Sequence, residues 1–227
     1  MKLLAQLKTP GLGRTLSVTV RLRWPDAVML CVETEGGLVE AARDADVILL
    51  DAMSTRPSGF ELIRRLRAAF DGAIIVFAHK ADDEEMLSSL EAGADDYLSS
   101  SAGSPQLVAR LSAVLRRLAV ASSRGPSVKQ FGSLKINEHT HEVYFGECEV
   151  RLSPTEFVLL SELSGARGAV LANEALHALV GNYPQSLWGE CLRKHIERLR
   201  KKLSAAGDDT VQIVNVRGVG YRLKHLG

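Results

Sequence analysis

Short apolar runs alternate with amphipathic segments through the first half of the chain, and this alternation constrains the fold more than any other feature. The candidate strands are Lys2–Gln6, Val28–Val32, Val47–Leu50, Ala73–Phe77 and Tyr97–Leu98. Helical spacing of apolar residues separates them in Gly59–Phe70, Asp83–Ala92 and Pro105–Leu118. Strands that are apolar throughout belong to parallel sheets covered on both faces. We therefore expect a doubly wound α/β domain of flavodoxin-like (βα)5 type, with its site at the carboxyl ends of the strands.

One segment of this half fits two structures. Leu16–Trp24 alternates apolar and polar residues as a strand does, whereas the order of the elements requires a helix at that place. We predict the helix. The acidic run Asp82–Glu85 is interpreted as the start of a helix, where carboxylates complement the helix dipole, rather than as a metal site.

The second half has the pattern of a different domain. A polar linker rich in Gly, Ser and Pro is expected at 121–128, between a first domain at 1–120 and a second at 129–227. Short strands are predicted around Phe131–Ile136, Glu142–Phe145 and Glu147–Leu152. Ser153, Pro154 and Glu156 then have the spacing of a helix N-cap, first helical residue and capping-box acid. We expect Asn173 to cap a second helix that ends at Gly181.

A basic helix at Leu187–Leu203 followed by a hairpin at Val211–Leu223 carries the strongest functional signal. Its apolar stripe consists of Trp188, Leu192, Ile196, Leu199 and Leu203. Its other faces are rich in Lys and Arg, which suits a helix lying in the major groove of DNA. A solvated charged face is the simpler interpretation, but it does not account for the adjoining hairpin with arginine at its tip. We therefore predict DNA binding.

Composition limits the class of protein. The 227 residues have a net charge of +1, but residues 1–120 hold 14 Lys and Arg against 16 Asp and Glu, and residues 121–227 hold 14 against 11. No run reaches membrane-spanning length, and the first residues do not form a signal peptide, so no membrane partner is expected. Cys31, Cys148 and Cys191 lack C-x-x-C spacing and fit free thiols in the cytoplasm.

Three motifs carry a resemblance to a known family. They are Leu152–Phe157 (LSPTEF), His195–Leu203 (HIERLRKKL) and Val216–Arg222 (VRGVGYR). The second half resembles the α+β winged helix-turn-helix domain of OmpR/PhoB-type response regulators, and the first half resembles their receiver domain. The resemblance implies a transcription regulator of the two-component type that binds double-stranded DNA and is not an enzyme.

In the resembled family a receiver aspartate accepts a phosphoryl group with the help of a magnesium ion. Asp51 stands at the acceptor position, but the metal-binding acids correspond to Leu7 and Lys8, the hydroxyl to Ala78 and the lysine to Ser100. No Asp or Glu precedes Asp26, so no first-strand register supplies a carboxylate pair. We favour an inactive Asp51 paired with the Lys8 ammonium, with weak or absent magnesium binding and no metal site. Inefficient phosphorylation of Asp51 is the alternative.

The resemblance also assigns signalling residues. Tyr97 corresponds to the switch aromatic, whose partner hydroxyl is replaced by Ala78. Asp96 and Arg110 correspond to a pair that bridges receiver homodimers, whereas Met86 and Gln106 replace charges used there. We expect a receiver that dimerises without phosphorylation and does not depend on a cognate histidine kinase.

By the same resemblance Ser186–Leu203 is the recognition helix. The residues expected to point away from its apolar stripe and to reach the groove are Arg193, Lys194, Glu197, Arg198 and Lys201. Arg198 is the expected base contact, because arginine bonds bidentately to guanine. Lys194, Lys201 and Arg200 are expected on phosphates. Glu197 fits either a cytosine contact or an ion pair with Arg193 or Lys201.

At the wing, Arg217 is expected in a minor groove, with Gly218 and Gly220 allowing a tight turn. Tyr221 is expected to pack rather than to touch a phosphate, and His195 is assigned a structural or phosphate role rather than metal binding. Gly181–Ser186 is where RNA polymerase would be met by analogy. The predicted function is therefore a phosphorylation-independent, dimeric, sequence-specific transcription regulator. A conventional regulator phosphorylated at Asp51 and a receiver that serves as a ligand- or protein-interaction module, with DNA binding secondary, are the alternatives.

Overall fold

The chain divides into two compact units, Met1–Ala113 and Val114–Gly227. The computed structural model describes residues 1–9, 11–51, 60–78, 80, 82–99, 108–109, 111–114, 128–181, 183–207 and 210–226. Apart from Val128, which begins a strand, the predicted linker at 121–128 lies outside the described residues. The predicted domain bounds therefore stay a prediction.

The first unit contains a five-stranded parallel sheet with the order β2-β1-β3-β4-β5. Its strands are β1 (Lys2–Gln6), β2 (Val28–Cys31), β3 (Val47–Asp51), β4 (Ala73–Ala78) and β5 (Asp96–Ser99). Its helices are α1 (Leu12–Arg23), α2 (Glu35–Ala41), α3 (Glu61–Ala69) and α4 (Asp83–Ala92), with a 3-10 turn at Ala42–Asp44 and further helical residues at 108–109 and 111–114. This topology confirms the predicted flavodoxin-like receiver fold.

Burial explains why the central strands are apolar throughout. Every residue of β3 and β4 is buried, whereas the edge strand β2 is largely exposed. Strands covered on both faces by helices cannot alternate apolar and polar residues. The register pairs Asp51 of β3 with Phe77 of β4, so Asp51 and Ala78 end up at the same edge of the sheet.

Helix α1 resolves the ambiguous segment in favour of the helix. Leu12, Leu16, Thr19 and Val20 are buried, at the spacing of one helix face. The strand-like alternation fails as a guide because Val18 and Leu22 are exposed.

In its described residues, the second unit combines two antiparallel sheets with three helices. One sheet contains β6 (Val128–Phe131), β7 (Leu134–Asn137), β8 (Glu142–Phe145) and β9 (Cys148–Glu149). The other has the order β10-β12-β11, formed by β10 (Leu171–Ala172), β11 (Val211–Val216) and β12 (Gly220–His225). The helices are α5 (Pro154–Gly165), α6 (Asn173–Val180) and α7 (Trp188–Ala205), with a 3-10 turn at Gln185–Leu187 before α7. The predicted winged helix-turn-helix fold is confirmed.

Local sequence signals predict the elements of this unit only in part. The capping box of Ser153 and Glu156 is present, with Pro154 as the first helical residue. The single strand predicted around Phe131–Ile136 is wrong, because Gly132, at a φ of 59°, turns the chain between β6 and β7. The prediction that Asn173 caps α6 is also wrong. Ala172 occupies the N-cap without a side-chain hydrogen bond, and Asn173 is the first helical residue.

The core of the second unit forms where α5 and α7 bury their apolar sides. Leu160 and Leu163 of α5, with Ile196 and Leu199 of α7, have no exposed surface. Burial of each such side chain contributes about 1.5–3 kcal/mol to folding. None of the helices in the described part of the chain combines the length and apolar character needed to span a bilayer.

Candidate nucleic-acid interface and receiver site

Helix α7 presents one row of polar side chains on the side opposite its apolar stripe. We call Arg193, Lys194, Glu197 and Lys201 the exposed row, because Arg193 and Lys201 are exposed and the other two are half-buried. Their spacing of three and four residues places them on one helix face. Arg193 Nη1 lies 2.8 Å from Glu197 Oε1. A solvent-exposed pair of this kind contributes little to stability, so DNA phosphates can compete with Glu197 for Arg193. Contact of this row with DNA stays a prediction.

Arg198 does not belong to the exposed row, and its predicted outward direction is wrong. Its side chain is only 11% exposed, with Nε 3.4 Å from the buried Glu156 Oε1. Its Nη2 lies 2.9 Å from Nδ1 of the fully buried His195. Residue 198 is close enough to the apolar stripe for its long side chain to turn toward α5. The structure therefore gives no support to the expectation that Arg198 is the base contact.

Arg200 lies at the opposite border of the row and contacts the wing. Its Nε and Nη2 donate to the carbonyl of Ile213 at 3.0 and 2.8 Å, and its guanidinium lies 5.8 Å from the ring centroid of Tyr221. Tyr221 is buried, which confirms its packing role. To make its predicted phosphate contact, Arg200 would have to give up these bonds to the wing.

The wing hairpin places Arg217 at its tip, where the side chain is exposed. Val219 N–H donates to the Val216 carbonyl across the turn, and Gly218 adopts a φ of 73°. Gly220 has a different requirement, since a Cβ atom there would overlap the carbonyl of Leu171 in β10. Gly218 therefore forms the turn, while Gly220 allows close approach of two strands.

The N-terminal turn of α5 is tied to the C-terminal half of α7. Glu156 is fully buried, and Oε2 accepts from the backbone N–H of Ser153 at 2.9 Å. The same oxygen lies 2.9 Å from Lys202 Nζ, which also donates to the Arg151 carbonyl at 2.8 Å. We call Glu156, Arg198 and Lys202 the Glu156 cluster. Sequence analysis found the capping box but not this second use of its carboxylate, because no local pattern links residues 156, 198 and 202.

Three aromatic residues fix the beginning of α7, and sequence analysis missed the set. The rings of His177 and Trp188 stack at 4.2 Å between centroids, and Trp188 Nε1 donates to the Tyr183 carbonyl at 2.9 Å. Burial lowers the pKa of His177. This arrangement joins α6 to the first turn of α7.

In the receiver unit, Asp51 is held by the main chain that follows β1. Its side chain is buried, and Oδ2 accepts the backbone N–H groups of Lys8 at 3.1 Å and Thr9 at 2.5 Å. Hydrogen bonds from amides to a carboxylate are stronger than those between neutral groups. Lys8 makes this contact through its backbone while its side chain is exposed. Two backbone amides therefore contact the Asp51 carboxylate, where the Lys8 ammonium was predicted to pair with it.

Two other positions of the receiver site have apolar side chains, which offer no oxygen ligand. Leu7 is half-buried and Ala78 is buried at the end of β4, while Ser100 lies outside the described residues. Magnesium takes oxygen ligands in near-octahedral geometry. Within the described ranges no group of three or more His, Cys, Asp or Glu residues comes together in a metal-binding arrangement. Weak or absent magnesium binding stays a prediction.

Tyr97 is buried and points to the start of α4. Its hydroxyl donates to Glu85 Oε2 at 2.8 Å. Glu85 is placed by the N-cap of α4, since its backbone N–H donates to Asp82 Oδ1 at 2.8 Å. Desolvation and the hydrogen bond to Glu85 raise the pKa of Tyr97 far above its usual range. The sequence predicts that Tyr97 lacks the hydroxyl-bearing partner residue found in the family. It does not reveal that Glu85 binds the Tyr97 hydroxyl instead.

Two neighbouring acids after α4 have separate contacts. Asp96, predicted at a dimer interface, is buried and accepts the backbone N–H of Tyr97 at 2.8 Å. Its predicted partner Arg110 lies outside the described residues. Asp95 forms a buried pair with Arg67 at 2.6 Å, and the same guanidinium donates to the carbonyls of Gly93, Phe70 and Gly72. The sequence gives no sign of this pair, because its members are far apart along the chain.

Comparison with known proteins identifies both units together. Residues 146–223 match the family described as transcriptional regulatory protein, C terminal. CseB of Streptomyces avermitilis, a transcriptional regulatory protein, is 36% identical over 225 residues, which cover 88% of this chain and 92% of CseB. KdpE of Escherichia coli, the KDP operon transcriptional regulatory protein, is 35% identical over 187 residues, with 82% and 83% covered.

A solved structure agrees with these relatives. A RitR mutant superimposes with a TM-score of 0.71 at 25% identity, and the match covers 99% of both chains. The relatives and the described fold extend the family assignment to the receiver unit, whose site residues depart from the pattern of that family. The chain belongs to the OmpR/PhoB family of transcriptional response regulators, with an atypical receiver domain joined to a winged-helix DNA-binding domain.

Proposed function

We propose that this regulator binds specific DNA sites without phosphorylation at Asp51, as a dimer formed through the receiver. The observation that carries the proposal is the pair of backbone N–H groups, from Lys8 and Thr9, that donate to Asp51 Oδ2. These charge-assisted hydrogen bonds stabilise the ionised carboxylate and make Oδ2 a weaker nucleophile toward a phosphoryl group.

Electrostatics around the acceptor supports the same proposal. Phosphoryl transfer depends on a cation that neutralises the charge developing on the phosphoryl oxygens. Leu7 offers no ligand, and no Asp or Glu precedes Asp26 to supply the usual carboxylates. We propose that magnesium binds weakly or not at all, so that a histidine kinase has no productive site on this receiver.

Tyr97 supports a receiver whose conformation is set by its own residues. The Tyr97 ring is buried although Ala78 stands where the family has a hydroxyl. Glu85 holds the phenol instead, from the first turn of α4. We propose that this contact replaces the phosphorylation-dependent one and keeps the α4–β5 side in a single conformation.

The remaining assignments follow from the family and are part of the proposal. Asp96 and Arg110 would connect two receivers, and the exposed row of each partner would then read one of two half-sites. Residues 181–186 would meet RNA polymerase. The free thiols of Cys31, Cys148 and Cys191 suit the reducing cytoplasm. We also propose that the chain is not an enzyme.

The test uses the purified full chain with magnesium and a small-molecule phosphodonor such as acetyl phosphate. We expect an unchanged intact mass and the same DNA affinity with and without the donor. Sedimentation at micromolar concentration should give a dimer in both cases. A phosphoryl adduct that disappears in Asp51→Asn, or a monomer in solution, would contradict the corresponding part of the proposal.

Conventional control by phosphorylation is the second candidate, favoured by the position of Asp51 at the carboxyl end of β3. In that case the attack would come from Oδ1, or from Oδ2 after the two amides release it. An adduct together with an increase in DNA affinity would identify this mechanism.

A further inference from the structure

We infer that Glu156 is a positioning residue for DNA recognition, which fixes the rotation of α7 about its own axis and thereby selects the side chains that face the groove. It acts from the first turn of α5 and touches no DNA itself. The inference rests on the DNA-binding role of this domain and is independent of whether Asp51 is phosphorylated.

The Glu156 cluster connects one flank of α7 to α5. Oε1 of Glu156 faces Arg198 Nε at 3.4 Å, and Oε2 faces Lys202 Nζ at 2.9 Å. Arg198 and Lys202 are four residues apart, so they lie one above the other on this flank of the helix. A single carboxylate therefore holds two successive turns of α7.

The other flank is held independently. Arg200 donates two hydrogen bonds to the Ile213 carbonyl of β11. The exposed row lies between the flank of Arg198 and Lys202 and the flank of Arg200. A rotation of α7 in either direction must break contacts on one of these flanks. Rotation is also what would change the side chains that reach base edges, since neighbouring residues are separated by about 100° around a helix.

Burial of the Glu156–Arg198 contact suits it to fixing the orientation of α7. The Glu156 side chain has no exposed surface, and Arg198 is 11% exposed. A buried ion pair contributes little net stability compared with apolar packing, whereas removal of one partner leaves an uncompensated charge. Such a pair holds one geometry, because displacing either member separates the two charges while they remain buried. The buried charge is then uncompensated, which is energetically unfavourable. We therefore assign its function to the orientation of α7 rather than to the stability of the domain.

The division of the cations follows from the same contacts. Helix α7 carries six Lys and Arg residues. Arg198, Arg200 and Lys202 bind protein groups, while Arg193, Lys194 and Lys201 lie in the exposed row. The base contact expected of Arg198 is thus reassigned to this row, and Arg198 becomes part of the device that orients it.

Glu156→Gln tests the inference because glutamine also closes a capping box while it removes the charge. A target duplex is first selected from random sequences with the wild-type full chain. The ratio of dissociation constants for a scrambled and the selected duplex is then measured. We expect Glu156→Gln to lower this ratio about tenfold, with the loss spread over all positions of the site. The matched control is Glu162→Gln, an exposed acid on the same helix, which should keep the wild-type ratio.

Arg198→Gln supplies the second arm and should give the same distributed loss. The loss in the double variant should be smaller than the sum of the two single losses, because both changes remove the Glu156–Arg198 contact. If Glu156→Gln does not fold, Lys202→Gln, at a 26% exposed position, carries the test with a smaller loss of the same kind. Reduced thermal stability with an unchanged ratio would overturn the inference. So would a loss in Arg198→Gln that is confined to one base pair.

Discussion

The hydroxyl of Tyr97 donates to the Glu85 carboxylate at 2.8 Å and so joins strand β5 to the first turn of α4. Both burial and this bond favour the neutral phenol, which is why the pKa of Tyr97 is raised. The contact spans twelve residues of chain and closes the α4–β5 connection.

Loss of this contact should loosen the α4–β5 segment. In Glu85→Ala the buried hydroxyl loses its acceptor, at a cost of about 1–3 kcal/mol in the free energy of unfolding. Hydrogen–deuterium exchange in β5 should be faster than in the wild type. Glu84→Ala, which removes the neighbouring exposed acid, should leave both quantities unchanged. Equal exchange in the two variants would contradict a role for the contact.

Asp51→Ala should change stability more than DNA affinity. The substitution leaves the N–H groups of Lys8 and Thr9 without their carboxylate acceptor, which costs about 1–3 kcal/mol for each group that stays buried. Urea unfolding and binding to the selected duplex measure the two effects separately. Wild-type stability combined with lost DNA affinity would instead assign Asp51 a signalling role.

The salt dependence of DNA binding should separate Lys201 from Lys202. Lys201→Ala removes a cation of the exposed row, so the slope of log K against log salt should decrease by about 0.9 for each lost phosphate contact. Lys202→Gln, which removes a cation bound to Glu156, should leave the slope unchanged. The reverse order would mean that the exposed row has been assigned to the wrong face of α7.

Arg67→Met should destabilise the receiver strongly. It leaves Asp95 buried without its guanidinium partner and removes three hydrogen bonds to carbonyls. Breaking one side of a buried pair costs about 3–5 kcal/mol. Arg64→Met, which removes an exposed pair with Glu61 on the same helix, provides the control for thermal unfolding and should have almost no effect.

Stability should fall as the pH decreases below about 6.5, the ordinary pKa of histidine. Burial lowers the pKa values of His177 and His141 in the folded chain. Below about 6.5 the unfolded chain binds protons that the folded chain does not bind, so protonation favours unfolding until the lowered pKa values are reached. Urea unfolding at pH 7.5 and 5.5 measures this loss. The variant with both His177→Phe and His141→Phe should lose less stability between these pH values than the wild type.

The sequence was sufficient for the architecture because apolar periodicity reports burial directly. The apolar runs of β3 and β4 and the capping box at Ser153 are local signals, and each was confirmed. Leu16–Trp24 could be assigned only from the order of the elements, because its local alternation indicates a strand. The helical spacing of Leu12, Leu16 and Val20 resolves it.

Contacts between distant parts of the chain cannot be predicted from local sequence patterns. Arg198 was expected to face DNA because its charge and helix position allow it. Its partner Glu156 stands forty-two residues earlier, and nothing local indicates that the two meet. Asp51 shows the same difficulty, since the charges around it suggested a lysine ammonium where two main-chain amides are found.

The close contact of Gly220 with the carbonyl of Leu171 fixes the base of the wing. With β12 pressed against β10 there, and Arg200 bonded to β11, the hairpin cannot swing freely relative to α7. The distance between Arg217 and the exposed row is therefore held nearly constant. With the proposed contacts of Arg217 and the exposed row, we expect the spacing and curvature of the duplex to enter recognition along with its base sequence.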